Sequence, residues 1–436
     1  MGENLVRNIV SHGESIVVWN RTIEKVDNLK TELWDTVQKT TSIADLVSHV
    51  QSPRNIILLV PAGKVTDEVA HELFSILSPD DAIWDLGNAH WDTTIAHQTE
   101  AIKHGIHWIG CGISGGSEGA RHGPSLMPGG EETSVKRMLP LLEKIAAKDF
   151  TGKPCVTYVG KAAAGNFVKM VHNGIEYALM QGIAEIYDIL RSANMSQSDI
   201  QHVFRELNTG LTKSFLLDIT VDILGTKDTD GADLLTKISD IAGSKGTGWW
   251  TVEAALKLGV SVPSIGESLF ARWLSGRKEK ANLPTKTPIV WGPQNTTLLK
   301  QALKTTYLAS YLQWIELILV AETEWNWEID IQEVLRIWQW WCIIRSEMLR
   351  TLPAFYRAGK VSDTESTDIE AMLWETKETL NNSHTPTPVL SSSYNYMITR
   401  MSDKLPTNLI QAMRDSFWAH GVKRIGSDIS ENFSWK

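Results

Sequence analysis

The first quarter of the chain alternates short β-branched and apolar runs with amphipathic segments, and this pattern limits the fold more than any other feature. The runs predicted to be buried strands are 15–19, 55–60, 82–86 and 107–113. The segments predicted to be helices are 24–33, 65–76 and 94–104. Strands that alternate with helices form βαβ units with right-handed crossovers, which build a parallel sheet. The pattern therefore predicts an α/β Rossmann-like domain over residues 1–161.

A further strand is predicted at residues 153–160, and from there the apolar residues recur at helical spacing. The predicted helical segments are 167–190, 199–207, 214–224, 251–258, 264–274, 297–319 and 331–349. Residues 281–292 and 381–393 are predicted to be loops because turn-forming residues accumulate there. The sequence thus predicts a large all-α domain over residues 162–400 and a C-terminal tail over residues 401–436.

Composition excludes several classes of protein. With 42 basic and 51 acidic residues, the net charge of −9 argues against a general nucleic-acid or anionic-membrane binder. Cys111, Cys155 and Cys342 form no C-x-x-C pair, which argues against a zinc site or a disulfide framework and favours a reducing compartment. No stretch has the length and apolarity of a signal peptide or a membrane span. We therefore expect a cytoplasmic protein without a structural metal.

The most informative helical segment places four polar side chains on one face. Lys169, His172, Asn173 and Glu176 follow at i, i+3, i+4 and i+7, and apolar residues flank them. One interpretation is a solvated face with a Lys/Glu ion pair, which is the more common case for an arbitrary helix. The other is a partly buried acid–base site, in which a desolvated lysine loses its proton and becomes a base.

Glycine-rich segments contain further candidate ligand-binding residues. The segment 110–130 is predicted to be a long ligand-binding loop at the carboxyl edge of the sheet, because it follows a buried strand and contains repeated glycines. Lys245 and Thr247 lie on a second glycine-flanked segment, where charge, hydroxyl and amides suit a phosphate. Arg272, Arg414 and His420 could add contacts, although each alone is more often a surface charge.

A dinucleotide site is predicted at the start of the chain. Gly2 is the one glycine of a possible fingerprint, and the chain opens at the turn, so the first strand of a complete unit is expected to be absent. Asn20, Arg21 and Thr22 follow the next predicted strand, where no acidic residue is present to bond a 2′-hydroxyl. This favours a 2′-phosphate, and hence NADP over NAD, unless Arg21 is an ordinary surface residue.

Five stretches, in this order, resemble the decarboxylating 6-phosphogluconate dehydrogenase family: 113–130, 167–177, 243–248, 342–346 and 414–420. The resemblance implies an NADP-dependent oxidoreductase of the pentose phosphate pathway that acts on 6-phosphogluconate. It implies that Lys169 is the general base and Glu176 the acid that protonates the enediol. It also implies a homodimer in which Arg414 and His420 reach the neighbouring subunit's site.

The resemblance further assigns binding roles. The residues implied to hold the sugar acid are Ser114, Gly115, Gly116, His172 and Asn173. Those implied to hold the phosphate are Tyr177, Lys245, Thr247 and Arg272. Those implied to contact the cofactor are Gly2, Asn20, Arg21, Thr22, Val60 and Asn88.

The chain also departs from the family's pattern. Trp340 and Trp341 stand at a Gly-Gly pair, Trp418 stands at a glycine, and Trp249 stands at a lysine, and a tryptophan in place of glycine needs both space and a suitable φ angle. The incomplete fingerprint predicts weak NADP binding. Two alternatives therefore stay open: a dimeric scaffold that binds sugar phosphate without turnover, and a β-hydroxyacid dehydrogenase that acts on another small acid.

Overall fold

The computed structural model describes residues 1–33, 36–244, 246–277, 295–357, 360–361, 366–383 and 385–435. Lys245 and the predicted loop at 281–292 lie outside these residues. Among the described residues, no helix is long and apolar enough to cross a membrane.

The N-terminal part is an α/β unit in which strands alternate with helices, as predicted. Its strands are β1 (Ile16–Val18), β2 (Val37–Lys39), β3 (Asn55–Leu58), β4 (Ala82–Asp85), β5 (His107–Ser114) and β6 (Ser125–Gly129). Its helices are α1 (Gly2–Ser11), α2 (Ile23–Leu33), α3 (Ile43–Ser48), α4 (Lys64–Ile76), α5 (Trp91–Lys103), α6 (Gly116–His122) and α7 (Glu132–Ile145). The four predicted strands and three predicted helices of this part are confirmed.

The strands form two sheets in the described part of the chain. β1 pairs with β2 in parallel, and β3, β4 and β5 form a parallel sheet to which β6 adds an antiparallel edge. The prediction of one long loop over 110–130 was wrong, because this segment contains the end of β5, α6 and β6. Its backbone groups are mostly buried, and burial requires that they pair in regular structure.

The predicted strand at 153–160 was also wrong. This segment runs beside β6 but meets it only at isolated bridges, Val156 with Leu126 and Gly160 with Gly129. Between the bridges lies Pro128 of β6, which has no N–H to donate to the neighbouring chain. The ladder is therefore interrupted in the middle of the segment.

The C-terminal part is helical and is built around two long buried helices that pack against each other, α8 and α13. Its helices are α8 (Ala164–Ser192), α9 (Gln197–Leu207), α10 (Phe215–Gly225), α11 (Thr247–Leu258), α12 (Pro263–Ser275), α13 (Thr296–Trp325), α14 (Ile331–Ile337), α15 (Glu347–Phe355), α16 (Ser366–Asn382), α17 (Pro388–Met401) and α18 (Thr407–Trp418). Two short antiparallel ribbons pair β7 (Tyr356–Arg357) with β8 (Lys360–Val361), and β9 (Val422–Lys423) with β10 (Ser430–Glu431).

The predicted helix at 331–349 is broken. It consists of α14 and α15, joined by a connector over residues 338–346. Within the connector Trp341 has a φ of 46°, in the left-handed region that a bulky residue seldom adopts. A glycine, which the resemblance implies at this position, would adopt this conformation without strain. Trp340 does not share it, and its ring packs edge-on against Phe150.

The predicted loop at 381–393 was too long, because α17 begins at Pro388. Proline is favoured in the first turn of a helix, where its missing N–H leaves no bond unmade. The Glu185 carboxylate of α8 accepts hydrogen bonds from the backbone N–H groups of Val389 and Leu390, both at 2.9 Å. The buried carboxylate therefore caps α17 from outside and fastens it to α8.

Glycines hold α8 directly against the sheet. A Cβ at Gly112 of β5 would lie 2.4 Å from Lys169 Cβ, and one at Gly129 of β6 would lie 2.4 Å from the backbone nitrogen of Gly165. No side chain fits between these backbones. The glycines of the segment predicted to be a loop therefore set the distance between the sheet and the helix that carries Lys169.

Candidate active site

A cavity of about 1350 Å³ lies between the sheet and the helical part. It is bounded by the N-termini of α1 and α4, the chain just after β3 and β4, the turn after β5, and one face of α8. Groups from α11 and α12 line the opposite side. The carboxyl ends of parallel strands and helix N-termini thus converge on one space, as in other α/β ligand sites.

The face of α8 that enters this cavity carries the predicted polar stripe. Lys169 is only 8% exposed, and its Nζ donates to Asn173 Oδ1 at 2.9 Å and lies 3.3 Å from His172 Nδ1. Burial lowers the pKa of the Lys169 ammonium. Among the described residues, Lys169 has no ion pair within 4.0 Å. The interpretation as a solvated face with a Lys/Glu ion pair was therefore wrong.

Glu176 lies two turns further along the same face. Burial raises the pKa of its carboxyl, while the charges of Lys169 and Arg272 act in the opposite direction. A carboxyl with a raised pKa keeps its proton more readily and can act as an acid. The stripe thus presents a lysine that loses its proton easily and a carboxyl that retains one.

Arg272 is held in place at the far wall. Its guanidinium lies over the Tyr177 ring at 3.6 Å from the centroid, and it donates to the Gly243 carbonyl at 3.1 Å. Thr247 begins α11 and lines the same cavity. A guanidinium, a hydroxyl and a helix N-terminus are suitable groups for a phosphate.

Most of the predicted substrate residues line the cavity: Ser114, Gly115, Gly116, Asn173, Tyr177, Thr247 and Arg272. His172 does not, because it is fully buried behind Lys169. Arg414 and His420 are exposed on the tail and do not line the cavity of their own chain. Lys245 lies outside the described residues, so its role stays a prediction.

The predicted cofactor residues divide into two groups. Gly2, Val60 and Asn88 line the cavity. Asn20, Arg21 and Thr22 do not, and they form an exposed turn in which Asn20 Oδ1 accepts the Thr22 N–H at 2.8 Å. The structure therefore brings together the first group only, and contact of the second group with a cofactor stays a prediction.

Sequence reasoning missed several residues of the site. Met180 lines the cavity and lies within 3.8 Å of Arg272, and it continues the stripe four residues after Glu176, so the helical spacing could have identified it. Gly63 precedes α4 with a φ of 90° and also lines the cavity, but nothing marked it in the sequence. Cys342 was predicted to lie inside a helix. It lies instead on the connector between α14 and α15, where it contacts His172.

Known proteins of one family match the chain along nearly its whole length. The NAD binding domain of 6-phosphogluconate dehydrogenase matches residues 1–160, and the C-terminal domain of 6-phosphogluconate dehydrogenase matches residues 165–435. The decarboxylating 6-phosphogluconate dehydrogenase of Lactococcus lactis strain MG1363 is 37% identical over 457 residues, covering 100% of this chain and 96% of that protein. Decarboxylating 6-phosphogluconate dehydrogenase 1 of Saccharomyces cerevisiae is 38% identical, covering 99% and 92%.

Among solved structures, the 6-phosphogluconate dehydrogenase of Plasmodium falciparum matches with a TM-score of 0.91 and 32% identity. The match covers 100% of this chain and 98% of that one. The Plasmodium protein is known in its apo form, with its cofactor NADP⁺ and with its substrate 6-phosphogluconate.

Proposed function

The chain belongs to the 6-phosphogluconate dehydrogenase family, and from that membership we propose that it converts 6-phospho-D-gluconate to D-ribulose 5-phosphate and CO2 with reduction of NADP⁺, as a step of the pentose phosphate pathway. The observation that carries the proposal is the buried stripe of α8. Lys169 and Glu176 face one cavity, and burial shifts their pKa values in the directions that a base and an acid require.

The residues of the stripe divide the proton transfers between them. The Lys169 amine accepts the proton of the C3 hydroxyl as C3 is oxidised to a ketone. The Lys169 ammonium then returns this proton to the C3 oxygen while the C1–C2 bond breaks, CO2 leaves and an enediol forms. Glu176 protonates C2, and the C3 hydroxyl proton goes back to Lys169 as the ketone product forms. The reaction leaves Lys169 as the ammonium and Glu176 as the carboxylate, and proton exchange with solvent restores the amine and the acid.

The cavity also fits NADP⁺. The N-termini of α1 and α4 both face it, and Gly2 and Gly63 place no side chain there. Two helix N-termini offer unpaired N–H groups and positive dipole ends, which suit a pyrophosphate. The nicotinamide of bound NADP⁺ would supply the acceptor for the hydride that leaves C3. The segment containing Arg21 would hold the 2′-phosphate.

The direct test is NADPH formation from 6-phosphogluconate and NADP⁺, with CO2 measured in parallel. We expect NADPH and CO2 in equal amounts, and little NADPH from a small β-hydroxy acid without a phosphate. A folded protein that forms no NADPH at saturating substrate and cofactor would support a scaffold without turnover. Oxidation of the unphosphorylated acid alone would support a different β-hydroxyacid dehydrogenase.

Arg272 is expected to recognise the substrate's phosphate. Because a guanidinium makes strong charge-assisted bonds to phosphate, Arg272→Ala should raise KM for 6-phosphogluconate by about 10- to 100-fold. It should leave kcat/KM for unphosphorylated gluconate nearly unchanged. Arg277→Ala is the matched control, since Arg277 is exposed just beyond α12. Equal losses with both substrates would contradict phosphate recognition by Arg272.

We propose a homodimer, because the tail exposes an apolar surface. Asp415 is the one buried residue of α18, whereas Leu409, Phe417 and Trp418 are 62%, 81% and 77% exposed. Asp415 accepts bonds from the Gly421 and Phe433 N–H groups, so the tail is ordered by its own contacts. An ordered helix with a bare apolar face suits burial against a second copy of the chain.

A mixed dimer tests whether the tail completes the neighbouring site. Lys169→Met and Arg414→Ala subunits, coexpressed with different tags and purified as a heterodimer, should recover about half of wild-type activity, because one site then combines an intact Lys169 with an intact Arg414 from the partner. Each homodimeric variant is the control and should be far less active. A heterodimer no more active than the Arg414→Ala homodimer would show that each tail serves its own subunit.

A cytoplasmic location agrees with the cysteines. Cys111, Cys155 and Cys342 are all buried free thiols. Free thiols without a disulfide suit a reducing compartment.

A further inference from the structure

The Cys342 thiol lies directly behind the proton-transfer groups and has no role in the reaction described above. The connector between α14 and α15 carries it to His172, where Sγ contacts Nε2 of the imidazole. Ser114 donates its hydroxyl proton to Sγ at 3.4 Å. Cys342 and His172 are both fully buried. The thiol is therefore the end of a buried chain of polar groups that leads through His172 to Lys169.

The protonation states within this chain follow from burial. Burial raises the pKa of the Cys342 thiol to about 11, so the sulfur keeps its proton. Burial and the neighbouring Lys169 lower the pKa of His172 well below its usual range, so the ring is neutral and has one N–H. A neutral imidazole donates from one nitrogen and accepts at the other.

The contacts on the two sides of the ring select one tautomer. Nδ1 lies 3.2 Å from Asn173 Oδ1, an acceptor, and 3.3 Å from Lys169 Nζ. Nε2 faces the Cys342 thiol, whose own sulfur already receives the Ser114 proton. Both ring nitrogens form a hydrogen bond if the Cys342 S–H donates to Nε2 and Nδ1–H donates to Asn173 Oδ1. The opposite tautomer would set the Nδ1 lone pair against the amide oxygen.

We propose that Cys342 is a positioning residue for the general base. Its thiol holds His172 in the Nδ1–H tautomer. That N–H bonds to Asn173 Oδ1 and also lies beside Lys169 Nζ, where a donor favours the free amine over the ammonium. The other tautomer would offer Lys169 a lone pair, which would stabilise the ammonium and delay proton uptake from the substrate. The inference rests on the proposed function, because it assigns Cys342 to the base of that reaction.

Few charges act on this network among the described residues. Glu176, on α8, favours the ammonium form of Lys169. Arg272, on α12, interacts with Glu176. Arg345, on the connector, faces Cys342 and is held over the Phe215 ring at 3.9 Å. None of these groups contacts His172, so the thiol and the Ser114 hydroxyl control Nε2.

The test is the pH dependence of kcat/KM for NADPH formation. In Cys342→Ala the imidazole can adopt the Nε2–H tautomer and donate to Ser114 Oγ, 3.2 Å away. We expect the acid limb of the profile to move up by about one pH unit, because one hydrogen bond to a charged group contributes a free energy of about that size. Activity should fall about tenfold below the limb and match the wild type at high pH. Cys342→Ser keeps a donor and should restore the wild-type profile.

Cys155→Ala is the matched control, because Cys155 is an equally buried thiol in the same core that does not contact His172. It should leave the acid limb in place. A Cys342→Ala profile that is lowered equally at every pH would show a purely structural role, and an unchanged profile would show that Ser114 sets the tautomer. Either result overturns the inference, while wild-type turnover of 6-phosphogluconate would still support the proposed function.

Discussion

Lys169→Met is expected to lower kcat for NADPH formation by about 10²- to 10⁴-fold, the range typical of losing a general base. The thioether has no lone pair basic enough to accept the C3 hydroxyl proton. Methionine keeps nearly the same length and volume, so the packing of α8 should survive. The measurement is steady-state kinetics with 6-phosphogluconate at saturating NADP⁺.

The same variant should be more stable than the wild type. The pKa of Lys169 is lower in the folded protein than in the unfolded chain, so the native state binds fewer protons between these two pKa values. Wild-type stability therefore rises with pH across that range and is reduced below it. Methionine removes this loss, and the gain in the free energy of unfolding over the wild type should disappear as pH approaches the unfolded pKa of lysine.

Exposed Lys161 provides the control for kinetics, since its ion pair with Glu328 lies at the surface. Lys161→Met should change kcat little. If Lys169→Met retained more than about a tenth of wild-type kcat while folded, a general base elsewhere would have to be sought.

Gly165→Ala is expected to destabilise the protein by about 3 kcal/mol, at the upper end for overpacking. A Cβ at this position would lie 2.1 Å from the Gly110 carbonyl oxygen and 2.3 Å from that of Met127. Both are backbone atoms of the sheet, so no side chain can turn aside to make room. Relief would require α8 to move away from β5 and β6. Activity should fall as well, because that movement displaces Lys169.

Gly266→Ala is the matched control within another helix. Its Cβ would meet nothing closer than Phe270 Cε2 at 3.9 Å, so alanine should stabilise α12 by about 0.5–1 kcal/mol. Urea denaturation measures both variants. Stabilisation of both variants would mean that helix propensity, and not the contact with the sheet, controls position 165.

The glycines show why the site could be predicted only in part. In the sequence, segment 110–130 has the composition of a ligand-binding loop, and Gly115 and Gly116 do line the cavity. Gly112 and Gly129 have another purpose, since each makes room for the backbone of α8. Composition is the same in both cases. The difference depends on a helix that begins more than thirty residues after Gly129 in the chain.

That Lys169, Asn173 and Glu176 share one face could be read from the sequence, because the 3.6-residue repeat is a local property of a helix. The sequence also predicted seven of the ten strands and helices that begin before residue 114, where local periodicity is strong, but not α1, β2 and α3. Tertiary packing is what buries this face, and burial lowers the pKa of Lys169 and raises that of Glu176. Tertiary packing also ends α14 at Ile337 and places Cys342 against His172. No local repeat can encode this contact, because it joins residues 170 positions apart.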